Sequence, residues 1–104
     1  MTKADIIKTL KAFLFELEKD GIIKIKSAYL FGSVVKGQRT KYSDIDLAIV
    51  SDSFTGCRYD DRVKLNPYIL KINTSVEVHP FTTKEFKADN PFAKEIMKTG
   101  LRIL

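Results

Sequence analysis

Over the first twenty positions the apolar residues recur at intervals of three and four: Ile6, Ile7, Leu10, Phe13, Leu14 and Leu17 form one stripe, with Lys3, Lys8, Lys11, Glu16 and Glu18 filling the other side. That spacing is one face of an α-helix turned to a core. Thr2 with Asp5 offers a capping-box start and Gly21 a stop, so a helix is predicted over Thr2 to Lys19. The period then changes to two. Ala28-Tyr29-Leu30-Phe31 is a short apolar run ending at Gly32, and from Asp44 to Val50 Ile45, Leu47 and Ile49 share one face while Asp44 and Asp46 share the other. Ser51 to Gly56 reads as a loop and Tyr59 to Ile72 as a helix interrupted at Pro67. A third strand runs from Ser75 and ends at Pro80, with Val76 and Val78 facing one way and Glu77 and His79 the other. Thr83 is placed to cap a turn through Glu85 and Phe86, and Pro91 to Thr99 reads as a last helix closed by Gly100.

Chemistry concentrates between the first two strands. Gly32 has no Cβ and tolerates backbone angles closed to other residues, so a ligand phosphate can approach the main chain there. Ser33 adds a hydroxyl and is predicted to open a short helix through Val34, Val35 and Lys36. Ten residues separate Ser33 from Asp44-Ile45-Asp46. Carboxylates two apart on a strand lie about 6.6 Å apart along the chain, close enough to converge on ions spaced about 3.5–4 Å. Held together without a cation they would repel by about 4 kcal/mol at 4 Å and an effective dielectric of 20. Hard carboxylate oxygens suit Mg²⁺ or Mn²⁺. Glu77 is the expected third acid, so Asp44, Asp46 and Glu77 are the candidate metal ligands. Solvated positions on half-exposed strands would show the same alternation.

The segment GSVVKGQRTKYSDIDLAIV resembles the minimal nucleotidyltransferase family of the DNA-polymerase-beta-like superfamily, whose signature is Gly-Ser, ten residues, then Asp-x-Asp. Ser43 before the first aspartate and the Lys36-Gly37 pair strengthen the resemblance, and VEVHPFT is similar to the family's third-acid strand; together these cover roughly residues 24 to 86. Val34 departs from the basic residue many members carry after the serine, which leaves phosphate-side charge to Lys36, Arg39 or Lys41. Glutamate rather than aspartate as third acid is a second departure. The resemblance implies an α/β (α+β) fold, a mixed β-sheet flanked by helices. It also implies transfer of a nucleoside monophosphate, AMP from ATP, to an acceptor hydroxyl. Asp44, Asp46 and Glu77 would be catalytic around two Mg²⁺ ions, with Gly32, Ser33, Lys36, Arg39 and Ser43 binding the nucleotide. Arg39 is favoured among the cations because its planar fork holds phosphate in bidentate fashion. Stand-alone minimal members pair with a small helical HEPN-type toxin and act as its antitoxin by adding AMP to a tyrosine hydroxyl, which is the expected partner here. Transfer to a small molecule or RNA end, and neutralisation of a toxin by contact alone, are the alternatives.

Composition narrows the setting. The 104 residues are 44% hydrophobic and 30% charged, without the run of about 18 apolar residues a bilayer span needs, so one domain over 1–104 and a cytoplasmic location are expected. No secretory signal pattern is present at the N-terminus. Cys57 is the single cysteine, which excludes an internal disulfide. A net charge of +5 favours polyanionic partners, but the aromatic residues form no RNA-binding motif and nucleic acid is not the expected substrate. The expected chain length leaves no room for an acceptor-binding domain, so that surface is expected from a partner or a second copy. His79 is the sole histidine and shares Glu77's face, within reach of a carboxylate or an ion; an ordinary strand histidine is the plainer reading.

Overall fold

The computed structural model describes residues 2–37, 44–72 and 74–104. Helix α1 spans Lys3–Lys19, and the predicted capping box is present: Thr2 Oγ1 accepts the Asp5 N–H at 3.1 Å while an Asp5 carboxylate oxygen accepts the Thr2 N–H at 3.0 Å. At the other end Gly21, at φ 71°, carries a Schellman turn. Its N–H reaches the Glu18 carbonyl, and the Ile22 N–H reaches that of Leu17. Ile6, Leu10, Phe13, Leu14 and Leu17 are buried, as the stripe predicts.

Strands β1 (Ser27–Phe31) and β2 (Ile45–Val50) lie antiparallel, with Phe31 opposite Asp46 and Leu30 opposite Leu47. Strand β3 (Val76–Phe81) runs parallel to β2, with Asp46 opposite Glu77 and Ala48 opposite His79. A two-residue strand β4 (Leu101–Arg102) closes the sheet against β1, giving the order β3-β2-β1-β4. This is a mixed sheet of the α+β class. Two further helices take part in the packing: α3 (Arg58–Ile69) and α4 (Pro91–Thr99). The single helical turn α2 (Ser33–Lys36) follows β1 directly.

Both faces of β2 are covered. Ile45, Leu47 and Ile49 pack with Leu30 and Val78 of the sheet against residues of α1 and Leu65 of α3. On the opposite face Ala48, Val50 and Phe81 meet Ile96 of α4, with Tyr29, Phe31 and Phe86 packed alongside. Tyr68 of α3 donates to Asp20 at the end of α1 at 2.7 Å, which ties the first pair of helices together. No described helix is long and apolar enough to cross a membrane.

Three local expectations are revised and one short strand is new. Strand β3 continues through Pro80 to Phe81. The Ser75 and Phe81 carbonyls accept from Ile45 and Ser51 respectively, whereas the Val78 carbonyl accepts from Arg62 Nε on the sheet's open side. Pro80 shares Val78's orientation, so its missing N–H falls on the unpaired edge and interrupts no ladder bond. Helix α3 likewise contains Pro67, which sits near its C-terminal end on an exposed side, where one lost bond is cheap. The cap of the 82–86 turn is Thr82, not Thr83: the Thr82 N–H donates to Glu85 Oε1 at 2.9 Å and Thr82 Oγ1 accepts the Glu85 N–H at 3.3 Å. Strand β4 has no counterpart in the sequence reading, because two residues carry no period.

Candidate functional site

Gly32 ends β1 at φ 80° and ψ −148°, a conformation essentially restricted to glycine. A Cβ built on it would overlap Asp46 Oδ2. Backbone at the Gly-Ser turn and carboxylate on β2 are therefore in direct contact. Antiparallel pairing of Phe31 with Asp46 produces this juxtaposition, since Gly32 follows the paired residue. Ser33 opens α2 as predicted, the Lys36 N–H returns to the Gly32 carbonyl at 3.1 Å, and Gly37 ends the turn in the left-handed region at φ 72°. One turn of helix sums few peptide dipoles, so a macrodipole adds little here.

The β2–β3 register brings the remaining groups together. Asp46 lies level with Glu77, and His79 follows two residues later on the same face. Each of Asp46, Glu77 and His79 offers a ligand atom within 4.8 Å of the other two. His79 Nε2 is 3.2 Å from Asp46 Oδ1. Glu77 is more open and pairs with Arg62, whose terminal nitrogen lies 3.2 Å from Glu77 Oε1 and whose Nε is 2.9 Å from the Val78 carbonyl. Exposed pairs of this kind contribute about 0–1 kcal/mol, so the link orients Glu77 without removing it from other partners. Two hard carboxylates beside an imidazole form a donor set that fits a divalent cation.

Asp44 stands apart from this group. It is exposed, lies one residue before β2 and lines the rim of an open recess of about 530 Å³ with Ile69, Ile72 and Val76, on the α3 side of the sheet. Alternation along a strand sets side-chain direction only within the paired ladder, and the ladder begins at the Ile45 N–H bonded to the Ser75 carbonyl at 2.9 Å. Asp44 precedes that bond, and its carboxylate is not one of the three groups gathered around Asp46. Lys36 is exposed on the last turn of α2. Arg39, Lys41 and Ser43 lie outside the described residues.

Two aromatic neighbours complete the surroundings. Phe31 and Phe92 meet the His79 ring edge-on, with centroids 5.1 and 5.7 Å away, and Phe31 meets Phe92 at 5.7 Å. His79, for which an ordinary strand histidine is the plainer expectation, is a member of the cluster, and period two from Glu77 is the signal for it. Arg62 and Phe92 come from helices, and nothing in their local sequence marks them.

The polymerase beta nucleotidyltransferase family pattern matches residues 8–104. A Methanocaldococcus jannaschii protein described as a candidate protein adenylyltransferase is 32% identical over 78 residues, which is 75% of each chain. A crystal structure of a candidate nucleotidyltransferase from Sulfolobus solfataricus superimposes with a TM-score of 0.67 over 96% of this chain and 80% of that one, at 19% identity. That likeness concerns the fold.

Proposed function

The chain belongs to the polymerase beta nucleotidyltransferase family, and on that premise we propose that it transfers AMP from ATP to a hydroxyl group on a protein. Contact between Gly32 and Asp46 carries the reading, because it sets the Gly-Ser turn directly beside a carboxylate suited to a cation. The similarity to a chain described as a candidate protein adenylyltransferase supports a protein as acceptor. The sequence resemblance favours a tyrosine on a small HEPN-type toxin.

In this mechanism Asp46 and Glu77 would hold divalent metal, Mg²⁺ being the first choice and Mn²⁺ the second, and Asp44, one residue before β2, would be the further carboxylate. A bound divalent ion neutralises phosphate charge and lowers the pKa of the acceptor hydroxyl. Gly32 and Ser33 hold the β- and γ-phosphates, which fixes the leaving group, and Lys36, Arg39 and Ser43 add contacts to the nucleotide. The acceptor oxygen bonds to the α-phosphorus as the bond from that phosphorus to the pyrophosphate oxygen breaks. The hydroxyl proton passes to Glu77, and pyrophosphate leaves. Nothing covalent is required of the protein. The exposed free Cys57 accords with a reducing cytoplasm as the setting of this reaction.

The test is incubation of α-phosphate-labelled ATP and Mg²⁺ with this chain and the protein encoded beside it. Label is expected on a tyrosine of the neighbour and is expected to vanish with Asp46→Ala. A stable complex without label transfer would replace this reading with neutralisation by contact, and label on RNA or a small molecule would reassign the acceptor.

A further inference from the structure

We propose that His79 is a positioning residue for Asp46: its Nε2–H donates to Asp46 Oδ1 and fixes the carboxylate with Oδ2 over Gly32. This inference rests on reading Asp46 as a cation ligand. The observed separation of 3.2 Å suits either a hydrogen bond or two ligands sharing one ion. The other ring nitrogen distinguishes them. Nδ1 is buried and has no hydrogen-bond partner among the described residues. Were the proton on Nδ1, a buried N–H donor would be orphaned, which is the rarer and costlier defect; an unpartnered ring lone pair costs less. The proton therefore belongs on Nε2, where Asp46 receives it. A histidine that ligates metal instead donates its second N–H to a carboxylate, carbonyl or water; among the described residues no carboxylate or carbonyl meets Nδ1, and the atom is buried from bulk solvent. Within the three-residue cluster, His79 serves the carboxylate rather than the ion.

Packing makes the arrangement rigid. Phe31 and Phe92 contact the imidazole edge-on from β1 and α4, and Phe31 is also the antiparallel partner of Asp46. With Oδ1 held by His79 and Oδ2 against Gly32, neither Asp46 oxygen needs reorienting when a cation arrives. Ligand orientation by a hydrogen-bonded neighbour is worth roughly 10–100-fold in metal affinity.

Because His79 is the sole histidine, its tautomer can be read from the ¹⁵N-labelled, tag-free chain by long-range ¹H–¹⁵N NMR of the neutral imidazole. A proton on Nε2 is expected; a proton on Nδ1 would overturn the proposal. Mn²⁺ affinity, measured without nucleotide or turnover, is then compared among wild type, Asp46→Asn, His79→Leu and His79→Gln, with thermal melts checking the fold. His79→Leu should bind Mn²⁺ about 10–100-fold more weakly, and His79→Gln, whose amide can donate from near the Nε2 position, should recover most of the loss. If His79→Leu binds as wild type while Asp46→Asn is weakened, the role of His79 is overturned and the ligand reading survives. Equal weakening by both His79 variants overturns the donor role in favour of ring packing. Affinity unchanged by Asp46→Asn sinks the ligand reading itself.

Discussion

Gly32 and Asp46 touch across the β1–β2 pair: the space a Gly32 side chain would occupy is taken by the Asp46 carboxylate. The positive φ of 80° and the carboxylate exclude a Cβ independently. Gly32→Ala should therefore destabilise the fold by about 1–3 kcal/mol and displace Asp46, weakening Mn²⁺ and ATP binding together. Urea denaturation paired with Mn²⁺ titration checks this; loss of stability with unchanged binding would separate the glycine from the site.

Asp46→Asn should abolish AMP transfer while leaving the metal-free fold intact or slightly more stable, because it removes charge repulsion with the nearby Glu77. Thermal melting without metal and label transfer with Mg²⁺ measure the two halves. Near-normal transfer by the variant would refute the ligand assignment.

Asp61 is a buried carboxylate outside the site. Its Oδ1 accepts the Thr55 N–H at 2.8 Å and the Thr55 hydroxyl at 3.0 Å, and its Oδ2 accepts the Gly56 N–H at 3.1 Å, so it anchors the loop leading into α3. Asp61→Ala orphans these donors and should cost about 3 kcal/mol by chemical denaturation, enough to loosen α3 and with it Arg62. Asp61→Asn should cost less, since one amide oxygen can still serve Thr55 while the amide nitrogen cannot accept from Gly56.

Tyr68 donates to Asp20 at 2.7 Å, and this hydrogen bond, aided by desolvation and the Asp20 charge, raises its pKa above the ordinary 10.0. The neutral phenol is the form the fold prefers. Its stabilising contribution is complete below the unfolded-state pKa and is lost as pH rises through the higher folded value. Ultraviolet titration of the phenols should show a tyrosine titrating late, and Asp20→Asn should return it toward 10.0. An unchanged titration would mean that the bond does not persist in solution.

Much of this was legible in local sequence because local physics produces it. The Thr2–Asp5 box, the α1 stripe, the Ser33–Lys36 turn and the Pro91–Thr99 helix with its Gly100 stop each depend on residues a few positions apart. Alternation identified Ile45, Leu47 and Ile49 as core and put Glu77 and His79 on one face. Proline as a strand breaker misled at Pro80, where the edge position of β3 makes it harmless, and Asp44, which precedes the first ladder bond, lies outside the group around Asp46.

The sequence by itself determined the helices, the strand faces and the residue types that could do phosphate and cation chemistry, because periodicity and backbone preference act over one or two turns. Tertiary structure alone decided which of them meet. Parallel register of β2 with β3 brought His79 to Asp46, α3 supplied Arg62 to Glu77, and α4 supplied Phe92 beside the imidazole. Those contacts join residues far apart in the chain, and they exist because burying both faces of β2 permits one strand register and one helix arrangement at a time.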